Sequence, residues 1–358
     1  MRSNHYCIIL AGGVGSRFWP LSKASQPKQF IDVLGTGKSF IRMTFDRLSP
    51  LFPTENFYVM TGEAYREDVL AELPMLKAHQ VLTEPERRNT APCIAYAAYK
   101  LKQKDPNALL LVTPSDHYIA DEGRFRDCIA KQLEDAEKED ALFTIGIRPT
   151  YPAIGYGYIE VEQSIMRLNR SQPVLQFKEK PSLPVAVDML AKGNYLWNSG
   201  MFIWKASVFT SALEAHLPEV SSLFAPISSY NTPQESADVR LAFLRSPSVS
   251  IDYGLIEKAH NVKVAPSDFG WSDLGTWESL YRQLDKDDAE NAVSAPKAKE
   301  VDLRECRNLL VKSSSPNKRL VLYGIEDMLV VDTPETLFIS RRGDEAAMHE
   351  IIKEKQEK

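Results

Sequence analysis

Tyr6-Cys7-Ile8-Ile9-Leu10-Ala11-Gly12-Gly13-Val14-Gly15-Ser16-Arg17 decides how the chain begins to fold. Its first half, Tyr6 to Ala11, is a short apolar run without polar alternation, as expected of a strand buried on both faces of a sheet. Its second half is a glycine-rich turn. Without Cβ atoms, the backbone N–H groups there approach phosphate oxygens closely. The carboxyl end of a strand is also where open α/β sheets bind ligands. Two better-known phosphate motifs do not fit. The dinucleotide fingerprint needs glycine where Phe18 stands, and the P-loop needs Gly-Lys-Ser/Thr where Gly15-Ser16-Arg17 stands. A glycine turn with no ligand remains the alternative for this segment alone.

Working outward, Phe57 to Thr61, Leu109 to Thr113 and Leu142 to Ile147 are further apolar runs of strand length. Helical patterns separate them at Ser39 to Leu51, Glu63 to Leu73, Thr90 to Lys104 and Arg124 to Lys138. In the last, Phe125, Ile129 and Leu133 share one face. The alternation predicts an α/β fold: a Rossmann-like mixed, mostly parallel sheet with helices on both faces. Strands at Tyr156 to Glu162, Val174 to Lys178 and Trp197 to Trp204, with helices at Pro184 to Lys192 and Val208 to His216, read as an insertion over residues 150–265. Residues 1–285 then form one catalytic domain. Asp285 to Glu300 reads as a linker. Residues 300–358 carry short strands at Leu309 to Val311, Leu320 to Tyr323, Met328 to Val331 and Thr336 to Ile339. They predict a small C-terminal β unit on the pattern of a partial β-helix, closed by a helix over Asp344 to Lys355.

Composition bounds the function. The chain has 358 residues, 44% of them hydrophobic, enough for a large core. A net charge of -5 disfavours nucleic acid as a partner but leaves room for a small anion held by a few converging cations. The cysteines Cys7, Cys93, Cys128 and Cys306 have no metal-site or disulfide-framework spacing and read as reduced thiols. No apolar run approaches the roughly 18 residues of a membrane span, and the N-terminus lacks a secretory pattern. The expectation is a soluble cytoplasmic protein with no membrane partner.

Several polar residues stand out against that frame. Lys28, in Gln26-Pro27-Lys28-Gln29-Phe30, adds a second cation to Arg17 beside the glycine loop, as a triphosphate requires. Asp116 follows a predicted central strand and Asp273 lies in Gly270-Trp271-Ser272-Asp273; a strand-end Asp is either a helix cap or a ligand. Asn89-Thr90-Ala91-Pro92 reads as a capped helix start. Gly157 between two tyrosines marks a bulge or a close approach. Glu179, flanked by Lys178 and Lys180, is a solvated charge run or a ligand site, and Asn198 offers both a donor and an acceptor. Trp197, Phe202 and Trp204 read as core.

Taken in order, these segments resemble the sugar-nucleotide pyrophosphorylases, in particular the mannose-1-phosphate guanylyltransferase family. The likeness runs through Leu10 to Arg17, Trp19 to Ser22, Pro27 to Phe30, Thr83 to Pro85, Arg88 to Pro92, Pro114 to His117, Ile154 to Ile159, Phe177 to Pro181, Trp197 to Phe202, Ser250 to Tyr253 and Gly270 to Gly275. The resemblance implies a nucleotidyltransferase fold and an Mg2+-assisted in-line transfer of GMP from GTP to mannose 1-phosphate. It implies catalytic roles for Arg17 and Lys28, and metal ligation by Asp116 and Asp273. Leu10, Ala11, Gly12, Gly13, Gly15, Ser16, Glu84, Asn89, Thr90 and Asp116 would bind the nucleotide. Gly157, Glu179, Lys180 and Asn198 would bind the sugar phosphate. Three alternatives stay open: transfer to glucose 1-phosphate from dTTP, UTP or ATP, a glycosyltransferase, and a non-catalytic nucleotide-sensing subunit. The glycosyltransferase would show Asp-x-Asp where Pro114-Ser115-Asp116 stands. A fused isomerase module is not expected, because the stretch after Glu300 is short and has no histidine cluster. The β unit is expected to mediate self-association as a homodimer.

Overall fold

Residues 5–9 are buried without a break, so β1 (His5–Leu10) has no solvent face to alternate towards. The structure is a computed structural model that describes residues 2–13, 18–344, 348, 350 and 351. Gly15, Ser16 and Arg17 therefore lie outside the described residues, as does most of the expected terminal helix. After β1 come α1 (Phe40–Leu48), β2 (Phe57–Gly62), α2 (Arg66–Glu72), β3 (Val81–Glu84), α3 (Thr90–Lys104), β4 (Leu109–Pro114), β5 (Tyr118–Ile119), α4 (Glu122–Lys138) and β6 (Leu142–Ile147). They are followed by β7 (Tyr158–Val161), β8 (Gln172–Lys178), α5 (Leu183–Lys192), β9 (Tyr195–Lys205), α6 (Ala206–His216), α7 (Pro218–Phe224), α8 (Glu235–Arg245), β10 (Val262–Ser267) and β11 (Trp271–Ser272). The chain ends with α9 (Trp277–Gln283), β12 (Ala292–Ser294), β13 (Glu300–Arg304), β14 (Leu310–Ser313), β15 (Arg319–Tyr323), β16 (Met328–Asp332) and β17 (Leu337–Arg341).

The large sheet has the order β3-β2-β1-β4-β9-β6-β10-β8-β7. β3, β2, β1 and β4 run parallel, and so do β6 and β10. β9 lies antiparallel between β4 and β6. The sheet is thus mixed, as the alternation predicted: most of its strands point one way, β9 at its centre runs against both neighbours, and the inserted strands join that same sheet. One face carries Tyr6 and Ile8 of β1, Leu110 and Val112 of β4, and the buried residues of α3, α6 and α7. The amphipathic α4 packs on β4, β6, β9 and β10 through Phe125, Ile129 and Leu133. Trp204, fully buried, stacks between Phe202 and Phe209, so the expected core role of these aromatics holds.

The strand order reverses between β1 and β4, which is where a doubly wound sheet opens a crevice. Leu10 registers with Pro114, and Ser115 N donates to Leu10 O at 3.0 Å. Ala11 N donates to Met60 O at 2.7 Å, and Thr44 Oγ1 donates to Ser115 O at 3.0 Å. The carboxyl ends of β1 and β4 are therefore pinned.

The chain divides into two units. One comprises residues up to Gly12, Thr44–Ser115 and Ile119–Trp271; the other comprises Gly13–Met43, Asp116–Tyr118 and everything from Ser272 on. This division does not follow the expected boundary near 285–300. The cause is a hydrophobic core in which Phe18, Phe40 and Trp277 join Leu310, Leu329, Val331 and Phe338. The expected linker at Asp285 to Glu300 likewise contains a strand, since β12 pairs in parallel with β14. β14 pairs onward with β16, and β13 pairs with β15, all in parallel. Successive rungs recur at near-constant spacing, the geometry of a partial β-helix. β17 then closes the sheet antiparallel to β16. Alternation explains the packing: Leu310, Leu329 and Val331 face the Phe18–Trp277 core, while Val311 and Val330 face the inside of the coil with Leu309 and Leu320.

Strands β3, β5, β10, β11, β12 and β13 and helices α7, α8 and α9 have no counterpart among the sequence expectations. The strand expected to begin at Tyr156 begins at Tyr158, because residues 154–156 form a bend. Leu111 is wholly buried in β4, between Cys7 and Ile203 of the flanking strands. Leu111→Ala is expected to destabilise the fold by about 2–5 kcal/mol, measured as a lowered urea midpoint.

Candidate functional site

Two clusters gather the residues singled out in the sequence. The first centres on Lys28. Pro27 is extended and leads into a single 3-10 turn, Lys28–Phe30, whose three residues are all buried. Lys28 is 5% exposed, and its ammonium lies 5.7 Å from the Phe18 ring centre and 5.1 Å from that of Phe40. Burying an ammonium requires partners, and among the described residues it has two. Nζ pairs with Asp116 Oδ2 at 3.0 Å and donates to the backbone O of Asp273 at 2.7 Å. One ammonium hydrogen is left. Burial alone would raise the Asp116 pKa, but the Lys28 charge, with smaller help from His117, outweighs it and holds the carboxyl below its ordinary value.

Asp273 is shaped by its own loop. Its Oδ1 accepts from Gly275 N at 2.9 Å, and Leu274 between them takes a φ of +43°, a region that disfavours a branched side chain. Gln29, which the sequence gave no role, donates through Nε2 to Gly13 O at 3.0 Å and so fixes the start of the glycine loop. Among the described residues no three His, Cys, Asp or Glu side chains gather as a metal cage. Asp116 and Asp273 are the hard oxygen donors on hand. One or two carboxylates suit Mg2+, which keeps waters and phosphate oxygens in the rest of its shell.

The second cluster lies along the carboxyl edge of the large sheet. Glu84 ends β3 and is buried, which raises its pKa against the opposing effect of the Cys93 thiol. Its Oε2 accepts from Cys93 Sγ at 2.8 Å, and its Oε1 stands 2.8 Å from where a Cβ on Gly12 would project. Glycine at 12 is therefore a packing requirement of Glu84. Asn89 caps α3 as expected, its side chain accepting from Thr90 N. Its φ of 65° with ψ of -169° lies in a region almost reserved for glycine, a strain of about 1–3 kcal/mol. Thr90 Oγ1 accepts from Ile251 N at 2.8 Å, which ties the cap to the segment that leads into Asp252.

Glu179, Lys180, Asn198 and Gly157 come together, and Asp252, which the sequence named only as part of a motif, joins them. Glu179 Oε1 accepts from Lys180 Nζ at 2.8 Å. Glu179 Oε2 is buried with no hydrogen-bond partner. A Cβ on Gly157 would stand 2.4 Å from that oxygen, so glycine at 157 admits the carboxylate. Asn198 is more committed than its sequence suggested. Nδ2 donates to Asp252 Oδ1 at 2.8 Å, while Oδ1 accepts from Thr144 Oγ1 at 3.1 Å and from Gly200 N at 3.2 Å. One amide hydrogen remains for a ligand. Trp197 is buried against Tyr151 and Tyr156.

Comparison with known proteins shows the family. The family model described as nucleotidyl transferase matches residues 6–290. The chain belongs to the nucleotidyl transferase family. It is 36% identical over 351 residues to the xanthan biosynthesis protein XanB of Xanthomonas campestris, covering 96% of this chain and 72% of that protein. It is 34% identical to a mannose-1-phosphate guanylyltransferase of Escherichia coli K12, covering 99% of this chain and 74% of that one. A crystal structure from Thermus thermophilus, described as a mannose-1-phosphate geranyltransferase, superposes with a TM-score of 0.85 at 28% identity, covering 99% of both chains. The chain is an enzyme of the nucleotidyltransferase class. No described helix is long and apolar enough to cross a membrane.

Burial and the neighbouring Glu179 charge raise the Asp252 pKa from 3.8 to about 6, against the opposing pull of Asn198 and Lys180. The folded protein thus holds this proton more tightly than the unfolded chain does. The resulting stability is fully present below about pH 4 and is lost as pH rises through about 6. Asp252→Asn keeps an oxygen for Asn198 and removes the ionisation. Its thermal midpoint is expected to exceed that of the parent at about pH 8, with the advantage fading towards about pH 4. A pH-independent difference would refute the assignment.

Proposed function

We infer that the protein transfers the GMP group of GTP to mannose 1-phosphate, giving GDP-mannose and pyrophosphate. The observation that carries this reading is the Lys28 junction, which joins an ionised Asp116 to the Asp273 loop within a chain of this family. The names of the relatives contribute mannose and guanine.

The chemistry asks little covalent work of the protein. A phosphate oxygen of mannose 1-phosphate bonds to the α-phosphorus of GTP. The bond from that phosphorus to the β-bridging oxygen breaks, and pyrophosphate leaves with the electron pair. The nucleophile is already anionic near neutral pH, so no side chain has to deprotonate it. Alignment and positive charge do the rest. We assign the triphosphate to Lys28, to Arg17, and to the backbone of Leu10, Ala11, Gly12, Gly13, Gly15 and Ser16. Nucleotidyltransferases of this family generally use a divalent metal, and here Asp116 and Asp273 would hold Mg2+; when bound, it supplies charge neutralisation at the phosphates.

We assign the base to Glu84, Asn89 and Thr90. The sugar phosphate goes to Gly157, Glu179, Lys180 and Asn198, with Asp252 added. What supports this is Glu179 Oε2: a buried acceptor without a donor is what a sugar hydroxyl satisfies. We also propose a cytoplasmic location, where thiols such as the buried Cys7 and Cys128 stay reduced. A homodimer through the C-terminal β unit is supported by the exposed Val321, Tyr323, Leu337 and Ile339.

Pyrophosphate release, measured with GTP, ATP, UTP and dTTP against mannose 1-phosphate and glucose 1-phosphate, tests the reading. GTP with mannose 1-phosphate is expected to be fastest; a clear preference for glucose 1-phosphate with another nucleotide would replace it. Lys28→Met and Asp116→Asn are each expected to lower turnover about 10³-fold or more, measured well below the thermal midpoint of each variant; each also breaks the buried Lys28–Asp116 pair and is expected to lower that midpoint.

A further inference from the structure

Lys312 is a buried cation with no part in the chemistry above. It sits in β14 with 2% of its surface exposed. Its ammonium donates to Ser294 Oγ at 2.9 Å and to the backbone O of Asp32 at 3.4 Å. Both partners are neutral. The nearby carboxylates are engaged elsewhere. Asp32 Oδ1 accepts from Gly35 N at 2.7 Å and Thr36 N at 2.9 Å, and its Oδ2 accepts from Gly37 N at 2.7 Å. Glu335 pairs with Lys23, and Asp332 with Lys318 and Ser313. Burial lowers the Lys312 pKa to about 8, with Asp32 opposing and Lys297 adding to the depression. An ammonium taken out of water without a counter-ion is unfavourable unless something returns the lost solvation.

The ammonium borders a cavity of about 350 Å³, which Lys297, Ser314, Phe30, Ile31 and Pro334 also line. That volume holds far more than a water, whose share of the liquid is about 30 Å³, and reaches the range of small-molecule sites, roughly 300–1,000 Å³. Lys23 and Glu335 in the same lining pair with each other, and Asp32 acts on Lys312 only through space, so the lining keeps an excess of positive charge that calls for an anion. Phosphate monoesters carry a charge of about -1.5 to -2 near neutral pH, whereas a monocarboxylate would leave one cation uncompensated. Phe30, Ile31 and Pro334 offer an apolar wall for the body of such a molecule.

We propose that this cavity binds a small phosphorylated metabolite, its phosphate against Lys312 and Lys297 and its carbon skeleton against Phe30, Ile31 and Pro334. The site shares no lining residue with the Lys28–Asp116–Asp273 cluster and does not depend on which sugar or nucleotide the enzyme uses. One wall nevertheless continues directly from Lys28 and Gln29 into Phe30 and Ile31.

Glycerol 3-phosphate is a suitable probe, titrated against the full chain with the thermal midpoint as readout. A saturable rise is expected for the parent. Lys312→Met keeps the methylene packing and should weaken the apparent affinity about 10-fold or more, the worth of a charge-assisted hydrogen bond. Lys297→Met, at a more exposed position, should weaken it several-fold and decides the matter if Lys312→Met fails to fold. Lys28→Met should respond as the parent does. Equal responses in the parent and both cavity variants would overturn the proposal. So would a response lost in Lys28→Met and kept in Lys312→Met, which would put the probe in the Lys28 cluster.

Discussion

One buried ammonium holds together the candidate site of the second unit. Lys28 arrives on a turn that Pro27 starts, passes between Phe18 and Phe40, and ends on the Asp116 carboxylate and the Asp273 carbonyl. Three stretches far apart in sequence thus meet at a single nitrogen. The arrangement works because each stretch contributes something different. The aromatic rings exclude water and favour a cation on their faces. The carboxylate supplies the opposite charge that makes burial tolerable. The carbonyl fixes the Asp273 loop without using its carboxylate. Removing Lys28 would leave Asp116 without its principal counter-charge and free Asp273 to move, so this one side chain positions both candidate metal ligands.

The cluster of Glu179, Lys180, Asn198 and Asp252 uses the opposite device. Here the excess is negative: Glu179 and Asp252 lie close enough for one charge to push on the other's proton. Lys180 satisfies one oxygen of Glu179 and Asn198 one oxygen of Asp252, and the remaining Glu179 oxygen is buried and unpartnered. A buried acceptor without a donor costs the folded protein free energy. A polyhydroxyl ligand brings donors to these acceptors, so part of its affinity comes from relieving a cost already present in the free protein. Gly157 permits this, because any larger residue would meet Glu179 first.

How much of this was legible in the sequence depends on the range of the interaction. The central strands and α3 were readable because their signals are local: an unbroken apolar run for β1, β4 and β6, and an Asn cap with Pro in the first turn for α3. The residues of the two candidate clusters stood out in the sequence as short polar motifs. Their partners were not. Nothing near Asn198 announces that Asp252 and Thr144 occupy most of its amide. Gln29 gives no local sign of reaching Gly13. Strand β10, whose Val262-Lys263-Val264 alternation is only a few residues long, and the short helix α9 carry signals too brief to separate from loop.

The domain boundary was hidden for a related reason. Composition shifts at Asp285 to Glu300, and composition is what a sequence shows first. Yet Phe18 meets Trp277 edge-on at 4.8 Å, and Trp19 meets Phe338 at 5.3 Å, so the segment after the glycine loop is packed with the last strands of the chain. The alternation in β14 makes this possible. Lys312 follows Leu310 on the face directed away from the coil, where Leu310 joins the aromatic core and Lys312 reaches Ser294 and the Asp32 carbonyl. The β unit is therefore built to face two ways. Its coil interior is closed and apolar, whereas its outer face lies against the residues that flank Lys28. A change in what that face packs against, whether a filled cavity or a shifted strand, bears first on the turn that carries the buried ammonium.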